Sequence, residues 1–385
     1  MPGLTNTLEE VVRPGILCYT RTYIREKKSM KFMHFSDVHL GATPDAGKPW
    51  GAQRAKSIWE TFAETVIEAG RQKVDFLLIS GDLFHRQPLK RELKEVNYLF
   101  SQIPDVKVML MAGNHDHLQP KSYYLDFEWA PNVFFFKEEE VTSFDFPGDN
   151  VTVYGMSYWH KKISKRCYDD LGDVNPERMN ILLAHGGEES HIPYSANQVL
   201  GQGIDYIASG HIHMGRQLVA DRAVMAGSLE PTESADVGPH GYWIGELTKR
   251  GGILECHCHF FPIKKCEYVN ETIEVTPETT RFELEARIRK LVECSEPYKL
   301  YRIFLEGYVD AGQELEETGL EELPRVAAVY SELRPNYDYD RLREEGQGTL
   351  LARYIEEMQK LPQDVVTKKA MEYGVNALLG YYTCK

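Results

Sequence analysis

The sequence predicts an α/β protein whose layered sheet carries its chemistry at the strand ends. Between Lys31 and Ala112, apolar runs of strand length alternate with amphipathic stretches of helical period, in the order strand, helix, strand, helix, strand. Five apolar runs also end in residues of metal-ligand type. They are Asp37-Val38-His39, the Gly81-Asp82 turn with His85, Gly113-Asn114-His115-Asp116, His185-Gly186-Gly187, and Gly210-His211-Ile212-His213. Open α/β sheets place their sites at the carboxyl ends of strands.

Taken in order, Lys31 to Ser36 reads as the first strand. In an extended chain residues i and i+2 point the same way, so Asp37 and His39 are expected to reach one ion together. A Gly- and Pro-rich loop follows, then a helix with Ala55, Ile58, Trp59, Phe62, Val66 and Ala69 on one stripe. Phe76 to Ser80 is the next strand. Pro88 opens a second helix with Leu89, Leu93, Val96, Phe100 and Ile103 inward. Val106–Ala112, Val151–Met156, Asn180–Ala184 and Ile204–Ser209 read as further strands, and the alternate spacing of His211 and His213 puts both imidazoles on one side. The core closes near residues 262–268, after strands around residues 226–229 and 242–247.

The aromatics of residues 120–150 read mainly as core. Tyr158, Trp159, Lys161 and Lys162, with Lys165 and Arg166 beyond, interleave rings and cations in a way that suits a nucleic-acid strand and equally suits a solvated surface. Residues 1–29 lack helical or strand periodicity; they are either an extension ahead of a start at Met30 or a loosely attached arm. Beyond residue 268 the character changes. Residues 269–310 read as a small α/β piece with a helix over 281–294, and 311–385 as acidic and mostly helical. Leu350, Leu351, Tyr354, Ile355 and Met358 form an amphipathic stripe there.

Composition narrows the classes. A chain of 385 residues with 42% hydrophobic and 26% charged content is that of a globular protein of two domains. No apolar run approaches the roughly 20 residues of a membrane span, and residues 1–29 hold no apolar core of a secretory signal. Seven scattered cysteines argue against a disulfide framework and for a reducing compartment, so the cytoplasm is the expected location. Cys256-His257-Cys258-His259 with Cys266 raises a zinc site, but Leu254, Cys256, Cys258 and Phe260 alternate as one strand face. The net charge of -14 is concentrated at the end: residues 267–385 hold 24 acidic and 15 basic residues. Residues 1–266 hold 34 and 29, nearly neutral once two divalent ions are added, so charge neither supports nor excludes DNA.

Asp37, His39, Asp82, Asn114, His185, His211 and His213 together supply nitrogen and oxygen ligands without sulfur, which favours octahedral ions such as manganese over structural zinc. They read as a two-metal phosphoesterase site with Asp82 between the ions. Such a pair activates water and neutralises charge on a phosphodiester. His115, one residue from a ligand, suits proton donation to the leaving oxygen.

These motifs, all five in order over about residues 30–265, resemble the calcineurin-like metallophosphoesterase superfamily and within it the SbcD-type, YhaO-like nucleases. The resemblance implies two packed mixed β-sheets flanked by helices, with residues 30–268 as the nuclease domain, 269–310 as a small α/β cap and a helical region after it. It implies that Asp37, His39, Asp82 and His213 hold one manganese ion and Asp82, Asn114, His185 and His211 the other. His115 would be the catalytic histidine, and His85, in the GD-x-x-H pattern of the nuclease branch, would position the scissile phosphate. The implied activity is 3′→5′ exonuclease and single-strand endonuclease in double-strand-break repair, as a homodimer with an SbcC-type coiled-coil ATPase. The stripe around Leu351–Met358 would dock on that partner or pack on its own domain. A phosphoesterase acting on a small nucleotide or a phosphoprotein would use the same ligands.

Overall fold

The computed structural model describes residues 4–13, 16–25, 29–311, 315 and 317–380, the first two segments by backbone alone. Leu4–Arg13 (β1) pairs antiparallel with Ile16–Arg25 (β2), a ladder of main-chain hydrogen bonds in a stretch without apolar alternation. The chain then runs through Ser29–Phe35 (β3), Gly51–Arg71 (α1), Phe76–Ile79 (β4), Lys90–Ser101 (α2), Lys107–Leu110 (β5) and Val133–Phe135 (β6). Thr142–Phe146 (β7), Val151–Gly155 (β8), Met179–His185 (β9), Ala196–Leu200 (α3), Tyr206–Gly210 (β10), Arg216–Val219 (β11) and Ala223–Met225 (β12) follow, then the hairpin Gly241–Arg250 (β13) and Ile253–Pro262 (β14).

These strands form two mixed sheets of six, ordered β14-β13-β3-β4-β5-β6 and β11-β12-β10-β9-β8-β7. Strands β3 to β6, and β8, β9, β10 and β12, run parallel, and the remaining strands pair antiparallel. Period-2 alternation explains the layering. Phe32, Phe76, Leu78 and Met109 of the first sheet meet Val153, Ile181, Leu183 and Ala208 of the second. The alternate residues Met33, Leu77, Ile79 and Val108 face outward to Ile58, Phe62 and Val66 of α1 and Leu93 and Val96 of α2. The second sheet covers its outer face with Tyr168, Ile192 and Val199. The fold is therefore two mixed sheets flanked by helices. Cys256 and Cys258 are buried on one face of β14, as the strand reading required.

The loop after β12 is fixed to α1 by a buried pair: the Arg54 guanidinium donates to Glu230, whose Oε1 also accepts from Ser57 Oγ at 2.7 Å and from Thr61 Oγ1. Main-chain geometry ties the first two ligand loops together. Asp37 N donates to Gly81 O, His39 N to Asp82 O and Leu40 N to Leu83 O, at 3.2, 3.1 and 2.9 Å.

A second compact unit, residues 270–296 and 301–385, is built on the sheet of Glu267–Val275 (β15), Lys299–Asp310 (β16) and Val326–Asn336 (β17). Thus a strand lies within the stretch read as mostly helical. Arg281–Glu293 (α4) carries a capping box, Thr280 accepting from Glu283 N and Glu283 from Thr280 N. Tyr339–Glu345 (α5), Leu350–Gln359 (α6) and Val365–Leu379 (α7) follow, and the stripe residues Leu351, Tyr354 and Ile355 pack with Tyr337 and Val375. These three therefore pack within their own unit, while Leu350 of the same stripe is 70% exposed. Among the described residues no helix is long and apolar enough to cross a membrane.

Candidate metal centre

The loops after β3, β4, β5, β9 and β10 bring the predicted side chains to one edge of the sandwich. Asp82 stands at the middle. Its Oδ1 accepts from His115 N at 2.8 Å, and its Oδ2 lies 3.4 Å from His185 Nε2 and 3.9 Å from His39 Nε2. On one side, ligand atoms of Asp37, His39 and His213 fall within 4.8 Å of one another; on the other, those of Asp82, His185 and His211 do the same. Asn114 completes the second group, with Oδ1 2.9 Å from both His185 Nε2 and His211 Nδ1. Asp37 is further held by its neighbour Ser36 and by His211 N, 2.9 Å from Oδ2.

Local backbone explains how the groups reach one place, and it corrects two expectations. Asp37, His39 and Asp82 adopt φ of 50°, 51° and 49°, and His211 a φ of 97°. This left-handed region costs roughly 1–3 kcal/mol per non-glycine residue and recurs at functional sites. Asp37 and His39 therefore share a group because of a bent, strained turn and not because an extended chain aligns i with i+2. His211 and His213 do not share a side at all; they diverge to opposite groups. Two glycines make the close approach possible. A Cβ on Gly81 would meet His185 Nδ1 at 2.4 Å, and one on Gly113 would meet Asp82 Oδ1 at 2.3 Å.

The donor arrangement fits divalent cations. His185 Nδ1 lies 2.8 Å from the Ser80 carbonyl, which can only accept, so the proton sits there and Nε2 faces the oxygens of Asp82 and Asn114. A lone pair aimed at two acceptors is what a cation, or failing that a second proton, must reconcile. His39 Nε2 and His213 Nε2 face each other likewise at 3.1 Å. The electrostatics agree. Burial opposes charge on His185 and His213, yet Asp82 raises the first to about 9, and Asp236 with Asp37 raises the second to about 9. Burial lowers His39 and His211 to about 3. Burial pushes Asp37 up, while the surrounding imidazoles hold Asp82 far below the carboxylate range despite its burial.

His85 and His115 lie beside these groups: their ring centroids are 5.3 Å apart, and those of His39 and His115 4.7 Å apart. Asp116 is buried, accepting from Phe84 N at 3.1 Å, Gly113 N at 2.8 Å and Tyr124 OH at 2.7 Å, and so shapes the loop. Burial and Asp82 raise it to about 7.

Among the residues expected to touch a nucleic-acid strand, Tyr158 is a correction. It is fully buried and donates its hydroxyl to His185 O at 2.9 Å, so it supports the site from behind. Trp159 is half-buried with its indole N–H on Lys137 O, and Lys161 and Lys162 are exposed. Sequence reasoning missed Asp236, 3.0 Å from His213 Nδ1, and Glu188, 3.4 Å from His211 Nε2. A carboxylate far along the chain from a histidine carries no local signal.

Residues 30–215 match the calcineurin-like phosphoesterase family. The chain carries a calcineurin-like metallophosphoesterase domain. The family uses a dinuclear divalent metal site, and the His/Asp groups described above fit one. This chain is 28% identical over 240 residues to the metallophosphoesterase YhaO of Bacillus subtilis, covering 57% of this chain and 58% of that protein. It is 25% identical over 388 residues to the DNA double-strand break repair protein Mre11 of Methanopyrus kandleri, covering 89% of this chain and 82% of that one. A solved dimetal phosphatase from Danio rerio aligns over 60% of this chain and 98% of its own, at 13% identity and a TM-score of 0.38.

Proposed function

We propose that this chain is a manganese-dependent DNA nuclease, a 3′→5′ exonuclease and single-strand endonuclease of double-strand-break repair. The observation that carries the reading is Asp82 standing between two ligand groups, with His85 and His115 side by side next to them. Asp37, His39, Asp82 and His213 hold one ion; Asp82, Asn114, His185 and His211 hold the other. The all-nitrogen-and-oxygen set suits manganese. When bound, the pair lowers the pKa of water and neutralises phosphoryl charge.

The chain's own residues do the rest. His115 protonates the leaving oxygen; its main-chain N–H donates to Asp82, which holds its backbone beside both ion groups. His85 positions the scissile phosphate, and Trp159, Lys161 and Lys162 contact the strand, a reading supported by the exposure of the two lysines. The relatives named Mre11 support DNA as substrate, and the SbcD-type resemblance supports a homodimer working in the cytoplasm with an SbcC-type ATPase.

The test uses purified full-length chain with manganese on single-stranded circular DNA and on defined 3′ ends. Cleavage that His115→Ala and Asp82→Ala abolish is expected. Hydrolysis of p-nitrophenyl phosphoesters without DNA cleavage would sink the reading in favour of a small-nucleotide or phosphoprotein substrate.

A further inference from the structure

His213 has an outer partner that the proposed chemistry leaves unused. Asp236, 7% exposed, sits in a tight turn where its Oδ2 accepts from Thr232 N at 2.8 Å, Thr232 Oγ1 at 3.0 Å and Glu233 N at 3.2 Å. The same oxygen lies 3.0 Å from His213 Nδ1. The turn itself is anchored. His240, 3% exposed, spans it with Nδ1 2.8 Å from Ser228 Oγ and Nε2 3.2 Å from Asp236 O. Glu230, at the start of the turn, is held by Arg54 of α1.

A carboxylate accepts, so Nδ1 of His213 carries the proton and Nε2 turns its lone pair toward His39 and Asp37. We propose that Asp236 is a positioning residue for this ion group: it fixes the tautomer and ring plane of His213 and raises the basicity of Nε2. The inference rests on the reading of His213 as a ligand. In the opposite group a backbone carbonyl, Ser80 O, fixes His185 Nδ1 at 2.8 Å, whereas His211 Nε2 faces Glu188, whose side chain is 58% exposed, at 3.4 Å. Glu188, His191 and His211 also converge within 4.8 Å. A third cation there would require His211 to bind through both ring nitrogens as an imidazolate, which neutral pH disfavours, so this cluster is not a further site.

The test is calorimetric titration of chelator-stripped full-length protein with manganese, with melting curves alongside. The parent takes up two ions. Asp236→Ala weakens one of the two binding steps by about 10–100-fold and leaves the other unchanged. Asp236→Asn, which keeps an acceptor oxygen in the turn, falls between parent and Asp236→Ala. Unchanged binding in Asp236→Ala overturns the proposal. So does equal weakening of both steps with a lowered melting temperature, which marks a merely structural residue. A parent that fails to bind two ions sinks the proposed function itself, a result read before any variant is compared.

Discussion

Replacing Glu230 by Gln tests how the metal-bearing edge is tied to the helical layer. Glu230 is 2% exposed and Arg54 5% exposed, and the guanidinium also donates to Pro231 O at 2.5 Å. Gln keeps the shape, and its amide oxygen can still accept from the guanidinium, but it leaves the Arg54 charge buried without its counter-ion. Breaking one half of a buried pair costs about 3–5 kcal/mol. In a domain of this size each kcal/mol moves the melting temperature by about 2–4 °C, so Glu230→Gln is expected to melt about 6–20 °C below the parent. The double variant Arg54→Met/Glu230→Met removes both charges and regains most of that loss, because the desolvation penalty vanishes with the pair. Circular-dichroism melts of the three proteins decide it. A Glu230→Gln melt within about 2 °C of the parent, or a double variant no better than the single, would refute the reasoning.

Gly113→Ala drives a methyl into Asp82, whose own main chain lies 2.6 Å from the added carbon, so the central carboxylate must move. DNA cleavage is expected to drop by about 100-fold or more, with manganese uptake falling below two ions per chain. Tyr158→Phe removes the donor to His185 O and leaves that buried carbonyl unpaired; urea titration should show a loss of about 1–3 kcal/mol. His34, buried between Tyr206 OH and Ser80 Oγ, is held neutral by burial, down to about 3. Its folded value lies below the unfolded 6.5, so its contribution is whole above pH 6.5 and is lost as pH falls toward 3. His34→Gln should therefore flatten the pH dependence of unfolding free energy by about 1.4 kcal/mol per pH unit between pH 6 and 4.

Much of the sandwich was legible because strands and helices announce themselves over a few residues. Phe76 to Ile79, all four fully buried, reads as a strand covered on both faces, and α1 shows its inward stripe at Ile58, Phe62 and Val66. The ligand-bearing turns were legible for the same reason: each directly follows its strand. Less legible was the pairing of β1 with β2, which is made by backbone groups that any side chain can accompany. The basic stretch misled at Tyr158, since an aromatic beside lysines looks alike whether it faces solvent or, as here, the core.

By itself the sequence determined which side chains could serve as ligands and that they stand at strand ends. Strand-end spacing alone did not say how they are shared between the two groups, a division that the family resemblance implied and that the tertiary structure brings about. His39 meets His213 across 174 residues, and His211 parts from His213 to join His185 and Asn114. Local periodicity constrains a residue against neighbours one turn or one pleat away. Which strand ends face each other is set by the packing of one sheet on the other, and the left-handed turns at Asp37, His39, Asp82 and His211 persist only because that packing holds them.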